Sequence, residues 1–138
     1  MKREDQTKVI DEFIKAMNAH DVEAMGELCT ENIVADEVAE SEPFIGIGAF
    51  KQAYIDVFQG YPDCVAEILE TFVDGDTVIC QVRWYATNLG VFRGAKPTHK
   101  KVDIRIAYFF TLEDGKIGGI TEYYDLASLL IQQGQLEL

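Results

Sequence analysis

The sequence predicts an α+β fold in which a curved, mostly antiparallel sheet wraps over N-terminal helices. Three observations predict it. Apolar residues fall at helical spacing in the segments before Cys64, and from Cys64 onward the period changes to two. The turn residues Asp74-Gly75-Asp76 and Glu113-Asp114-Gly115 join successive alternating segments, as hairpins require. Helices first and a long meander afterwards form separate layers of one core. No repeat, low-complexity stretch or Pro/Gly/Ser linker interrupts the chain, so residues 1–138 are read as a single domain.

Each element follows from its period. Val9, Ile10, Phe13, Ile14 and Met17 share one helical face, opposite Asp11, Glu12 and Lys15, and this helix ends near Ala19-His20. Asp21 is an N-cap for a short second helix carrying Val22, Met25 and Leu28. Residues 32–38 alternate as a strand, Pro43 to Gly48 reads as a loop, and Phe50, Tyr54, Val57 and Phe58 mark a helix from Ala49 to Gln59. Strands follow at about 64–73, 77–88, 100–112 and 116–124. Asp125 then caps a last short helix through Leu126, Leu129 and Leu130, stopped by Gly134.

Composition narrows the function. Among 138 residues, 12 Lys+Arg stand against 24 Asp+Glu, a formal charge of −12 at pH 7. That charge repels phosphate backbones and anionic lipids, so neither nucleic acid nor a membrane surface is an expected partner. At 48% hydrophobic the chain can fill a core, and a domain of this size buries roughly two-thirds of its unfolded surface. The opening Met1-Lys2-Arg3-Glu4-Asp5-Gln6 lacks a signal-peptide apolar run, and no stretch approaches the ~20 apolar residues of a membrane span. A cytoplasmic protein is expected. Cys29, Cys64 and Cys80 are odd in number and widely spaced, and they read as small buried hydrophobes in a reducing compartment.

The alternation exposes candidate site residues, because a charged residue in an apolar face needs an explanation. On the last strand Ile120, Glu122 and Tyr124 share parity, and on the early strand Val34, Asp36 and Val38 do. A three-residue Glu113-Asp114-Gly115 loop would pair Ile106 with Glu122 and make Tyr108 its diagonal neighbour, whereas a two-residue loop would move the register by one and separate them. Val102, Ile104, Ile106 and Tyr108 oppose Asp103 and Arg105, and Val78, Cys80, Val82 and Trp84 oppose Gln81 and Arg83, so the apolar sets form the concave side. Two carboxylates and a tyrosine in an aromatic and aliphatic concavity make a pocket. Asp125 reads as a helix cap.

Other chemistries find little in the sequence. Gly46-Ile47-Gly48 has Lys51 where a dinucleotide motif needs a glycine, and neither serine, Ser41 or Ser128, lies in a G-x-S-x-G turn. The two histidines, His20 and His99, stand far apart in turn and loop positions and read as surface residues, so no metal is expected.

The sequence resembles the SnoaL-like polyketide cyclases, a family of the nuclear transport factor 2-like superfamily with its cone-shaped α+β fold. The likeness is carried by Asn18-Ala19-His20-Asp21 after the opening helix, by Tyr61-Pro62-Asp63, by Asp74-Gly75-Asp76, by Gly90-Val91-Phe92-Arg93-Gly94 leading to Lys96-Pro97-Thr98, by Asp114-Gly115-Lys116-Ile117, and by Asp125 through Leu129-Leu130 to Gln133-Gly134. The resemblance implies a metal-free aldol closure with an acid/base three residues before the final cap, at Glu122, where the cyclases usually have Asp; a histidine of theirs falls at Tyr108. The similar ketosteroid isomerases place their proton-shuttling Asp at Asp36, with oxyanion donors at Phe13, which cannot donate, and Tyr108, which can. In the limonene epoxide hydrolases an acid again falls at Glu122, but their Arg and Asp partners fall near Val82 and Trp84.

The expectation is a cofactor-independent, homodimeric small-molecule enzyme acting on a hydrophobic carbonyl compound. Glu122 is the acid/base, Tyr108 the oxyanion donor and Asp36 a second carboxylate, with Phe13, Tyr54, Phe58, Trp84, Ile106, Ile120 and Tyr124 shaping the pocket. A non-catalytic binder of a hydrophobic ligand and a dimerisation module are the alternatives. The dimer would form through the outer sheet face, where Tyr85 and Phe109 stand.

Overall fold

The computed structural model describes residues 1–138. Two helices, α1 (Arg3–Asn18) and α2 (Val22–Glu27), precede β1 (Cys29–Glu37), β2 (Phe44–Ile45) and α3 (Ile47–Gly60). The meander follows as β3 (Val65–Asp74), β4 (Thr77–Thr87), β5 (Lys101–Glu113) and β6 (Lys116–Tyr124), and α4 (Leu126–Gln132) ends the chain. The six strands form one curved, unclosed sheet in the order β2-β1-β6-β5-β4-β3, antiparallel throughout except for the parallel pair β1 and β6. No helix is long and apolar enough to cross a membrane.

Apolar spacing dictates which faces are covered. Ile10, Phe13, Ile14 and Met17 of α1 are buried, while Asp11, Glu12 and Lys15 are exposed. On the sheet, the concave sets Val78, Cys80, Val82 and Trp84 and Val102, Ile104, Ile106 and Tyr108 are all buried. Phe13, Phe50 and Phe110 have no exposed surface and meet at ring centroid distances of 6.1 and 5.6 Å. Each such ring contributes about 1.5–3 kcal/mol through burial. All three cysteines are buried and unpaired, and desolvation pushes the Cys29 thiol up to about 12 and Cys64 to about 11.

The helical caps form as their residue types dictate. Asp21 accepts from the Ala24 amide at 3.0 Å, and Asp125 accepts from the Ser128 amide at 3.1 Å. Asn18 pairs with the sheet's edge strand like a short extra strand, donating to the Ala66 carbonyl (2.8 Å) and accepting from its amide (2.7 Å). That blunts an otherwise open edge.

The β5–β6 hairpin differs from expectation in an instructive way. Its loop has two residues, Asp114 and Gly115, with φ of 49° and 83°, and Glu113 pairs with Lys116. That turn alone would put Tyr108 and Glu122 on opposite faces. A bulge at Gly118, between the pairs Leu112–Ile117 and Thr111–Gly119, adds one residue to β6 and restores the parity. Tyr108 therefore stands directly opposite Glu122, and Ile106 opposite Tyr124.

The early strand also differs. It begins at Cys29, and a two-residue strand, too short for any period, lies in the Pro43–Gly48 segment. Its inward residues are Ile33, Ala35 and Glu37; Val34 and Val38 are 41% and 46% exposed. The parallel register confirms this, with Ala35 beside Ile120 and Glu37 beside Glu122, while Asp36 lies beside Thr121 on the outward parity.

The long β4–β5 connection is anchored by Asn88. Its side chain donates to the Gly60 and Gly90 carbonyls (3.2 Å each) and accepts from the Thr98 amide (2.8 Å). Gly90 lies so close to the Gln59 carbonyl that a Cβ would collide with backbone. Beyond it the chain crosses the open end of the sheet as the tight hairpin Phe92–Ala95.

Candidate functional site

The concave face, α3 and the β4–β5 connection enclose a cavity with about 100 Å³ open to the centres of water molecules. Of its 21 lining residues 17 are hydrophobic, so any ionisable group there faces a poor solvent for charge. The strands supply Trp84, Ile104, Ile106, Tyr108, Ile120, Glu122 and Tyr124; α3 supplies Phe50, Tyr54, Val57 and Phe58. Tyr61 closes one side, edge-on to Trp84 at 5.1 Å and to Phe92 at 5.5 Å, its hydroxyl donating to the buried Gln133.

Glu122 is the centre of the polar chemistry. Burial, and secondarily the nearby charge of Glu37, push its carboxyl up to about 8 against the opposing pull of a Tyr108 hydrogen bond and the Arg93 charge. Tyr108, itself 2% exposed, stands directly opposite Glu122, and Tyr54 of α3 lines the same cavity, so the three side chains gather between α3 and β6. Burial holds both tyrosines well above the usual phenol range, with the charge of Glu122 adding to it, so they remain proton donors.

Glu37 is the second inward carboxylate. Tyr124 donates to it at 3.1 Å, and the Arg93 guanidinium lies 3.5 Å away. Burial raises its carboxyl, while Arg93 and Tyr124 pull it back down. Arg93 also binds Glu40 and lies over the rings of Phe92 (4.6 Å) and Phe44 (5.4 Å), closing the cavity mouth. No three His, Cys, Asp or Glu side chains converge as a metal site would need.

Of the residues singled out from the sequence, Glu122, Tyr108, Tyr54, Phe58, Trp84, Ile106, Ile120 and Tyr124 meet in this cavity. Asp36 borders it but shares the outward parity, and Glu37 takes the place beside Glu122. Phe13 does not line the cavity: it is fully buried beneath it, edge-on to Tyr54 at 6.3 Å. His20 is a half-buried residue rather than a surface one, stacked on the cavity residue Phe58 at 4.3 Å. Sequence reading missed Glu37, Tyr61, Phe92 and Arg93. The signal for Glu37 was the alternative parity of β1, in which Ile33 and Ala35 lead to it.

Comparison with known proteins places this architecture. A protein from Jannaschia sp. CCS1, provisionally called a SnoaL-like polyketide cyclase, superposes with a TM-score of 0.87 at 19% identity, over 96% of this chain and 94% of that one. AclR from Streptomyces galilaeus, provisionally called a hydroxylase, gives 0.86 at 20% identity over 99% and 100% of the two chains. A hypothetical protein from Catenulispora acidiphila with a ketosteroid isomerase-like fold gives 0.79 at 16% identity over 93% of each. No curated protein matches by sequence. The model of the SnoaL-like polyketide cyclase family matches residues 7–133, helix to helix across the whole sheet, and the chain belongs to that family.

Proposed function

We propose that this chain is a small-molecule enzyme that performs metal-free acid/base chemistry on a hydrophobic carbonyl compound, of the cyclase (aldol) or ketosteroid-isomerase type. One observation carries the reading: Glu122 stands directly opposite Tyr108 in an apolar cavity, where burial pushes its carboxyl up to about 8. A free carboxylate is too weak a base to remove a proton α to a ketone, whereas a base poised near the working pH is suited to it. The acid/base residue is Glu122 and the oxyanion donor Tyr108, with Glu37 rather than Asp36 as the second carboxylate.

In the aldol case, the ionised form of Glu122, the minor one at neutral pH, takes the α-proton, and Tyr108 donates its hydrogen bond to the enolate oxygen. The enolate carbon attacks a second carbonyl of the same molecule, and protonated Glu122 returns its proton to the new alkoxide. In the isomerase case it returns the proton to a different carbon. Neither sequence consumes a co-reactant, and a positioned acid/base group of this kind contributes about 10²–10⁴ in rate. Membership of a polyketide cyclase family, and neighbours described as cyclases, support the reading. The whole chain acts as one domain and the working unit is a homodimer.

The test is hydrogen–deuterium exchange at the α-carbon of a panel of hydrophobic ketones, followed by NMR. Exchange is expected with native protein and lost in Glu122→Gln. Undiminished exchange in that variant overturns the assignment.

A further inference from the structure

Phe92 and Ala95 close a tight turn through mutual backbone hydrogen bonds of 3.1 and 2.9 Å. Its two central residues, Arg93 and Gly94, both have positive φ, 47° and 84°. Such turns favour Asn, Asp or Gly at the first position, and a long side chain there is strained. The strain points to a role for the side chain. Although the turn is at the surface, the Arg93 side chain is only 23% exposed, because it folds back to reach Glu37.

Glu37 and Glu122 are register partners on adjacent parallel strands, so both enter the same cavity. Two carboxylates in one apolar cavity oppose each other's ionisation, as the charge of Glu37 opposes that of Glu122, and this favours a state in which they share one proton. Their surroundings differ. Tyr108 of β5 faces Glu122, with Tyr54 of α3 behind it. Facing Glu37 are Tyr124 of β6, Arg93 from the mouth turn and Glu40 from the turn after β1, with Asp36 at the rim.

We propose that Arg93 is a positioning residue: its ion pair with Glu37 makes that carboxylate the charged member of the pair and leaves the shared proton on Glu122, against Tyr108. Its bearing on catalysis rests on the acid/base reading of Glu122. The placement of the proton is a property of the protein without substrate. Because Arg93 sits on the mouth turn, it also couples the entrance of the cavity to the protonation of its floor.

The experiment is a carbon-13 NMR titration of the full-length chain labelled at the glutamate carboxyl carbons, with signals assigned through Glu37→Gln and Glu122→Gln. From about pH 6 to about pH 9, on either side of the value of about 8 held by Glu122, the Glu122 signal should titrate while Glu37 stays at its carboxylate position. In Arg93→Gln, Glu37 should take up part of the proton and titrate alongside Glu122. Glu40→Gln loosens the same turn but leaves Arg93 on Glu37, and should keep the native pattern. The proposal fails if Glu37 stays a carboxylate throughout in Arg93→Gln, if Glu37 titrates in place of Glu122 in the native protein, or if Glu40→Gln reproduces the Arg93→Gln pattern. Loss of ketone exchange, by contrast, bears only on the catalytic reading.

Discussion

Neutralising Glu122 should stabilise the protein by an amount that grows with pH. In the unfolded chain a glutamate ionises near its ordinary value of about 4.3, whereas the native cavity holds Glu122 at about 8. Between those values the native state keeps a proton that the unfolded state has lost. Stability therefore falls as pH rises, by about 1.4 kcal/mol per pH unit, and the loss levels off above about 8. At pH 7 this is on the order of 4 kcal/mol. Glu122→Gln removes the penalty and keeps an oxygen that can accept from Tyr108. At roughly 3 °C per kcal/mol for a domain of this size, the variant should melt about 10 °C above the native protein at pH 7 and nearly together with it below about pH 4. Thermal melts across that range make the measurement. Curves that run parallel at all pH values would show that Glu122 ionises normally in the fold and would remove the basis for its role as a tuned base.

Asp125→Ala should do the opposite: it loses the cap on Ser128 and lowers the melting temperature slightly, while ketone exchange continues at the native rate. Asn88→Ala should cost about 1–3 kcal/mol in denaturant unfolding, since it takes the side-chain partner from the Gly90 carbonyl and the Thr98 amide, while the Gly60 carbonyl keeps the Leu89 and Gly90 amides. On the outer sheet face, Phe72 and Tyr123 are 52% and 51% exposed, and Phe109 meets Tyr123 edge-on at 5.8 Å. Sedimentation should therefore find a dimer at micromolar concentration, and Tyr123→Glu should dissociate it; a native monomer would refute this use of the face.

The layers of the fold were legible because they rest on period, and period survives small errors of boundary. The strands β4 and β5 alternate cleanly, since one face meets helices and the other solvent, while β3 and β6 each alternate on either side of one irregularity. Less legible were features that depend on single residues. The facing of Tyr108 and Glu122 depends on a two-residue turn and a bulge at Gly118, two departures that cancel in parity. A glycine pair such as Gly118-Gly119 permits a bulge without requiring one. On β5 and β6 the apolar parity of each strand by itself gives the right face, whereas counting from the turn gives a diagonal pairing instead of the direct one.

The candidate site divides along the same line. Glu122, Tyr108, Trp84, Ile106 and Ile120 lie on long strands whose pattern states their face, and Tyr54 and Phe58 lie on a regular helix. On β1 both parities carry an apolar run ending in an acid: Val34 before Asp36, and Ile33 and Ala35 before Glu37. Only pairing with β6 decides between them, and a parallel partner more than eighty residues distant leaves no local trace. Arg93 was hidden for a related reason: in a glycine-flanked loop an arginine looks solvated, and its function depends on a glutamate brought within 3.5 Å by tertiary structure. The proposed base is thus written in local pattern, whereas the charges proposed to tune it, Glu37 and Arg93, meet only once the parallel strand pair and the mouth turn have formed. Substitutions at the two tuning positions should accordingly shift the pH dependence of the site while leaving its acid/base group in place.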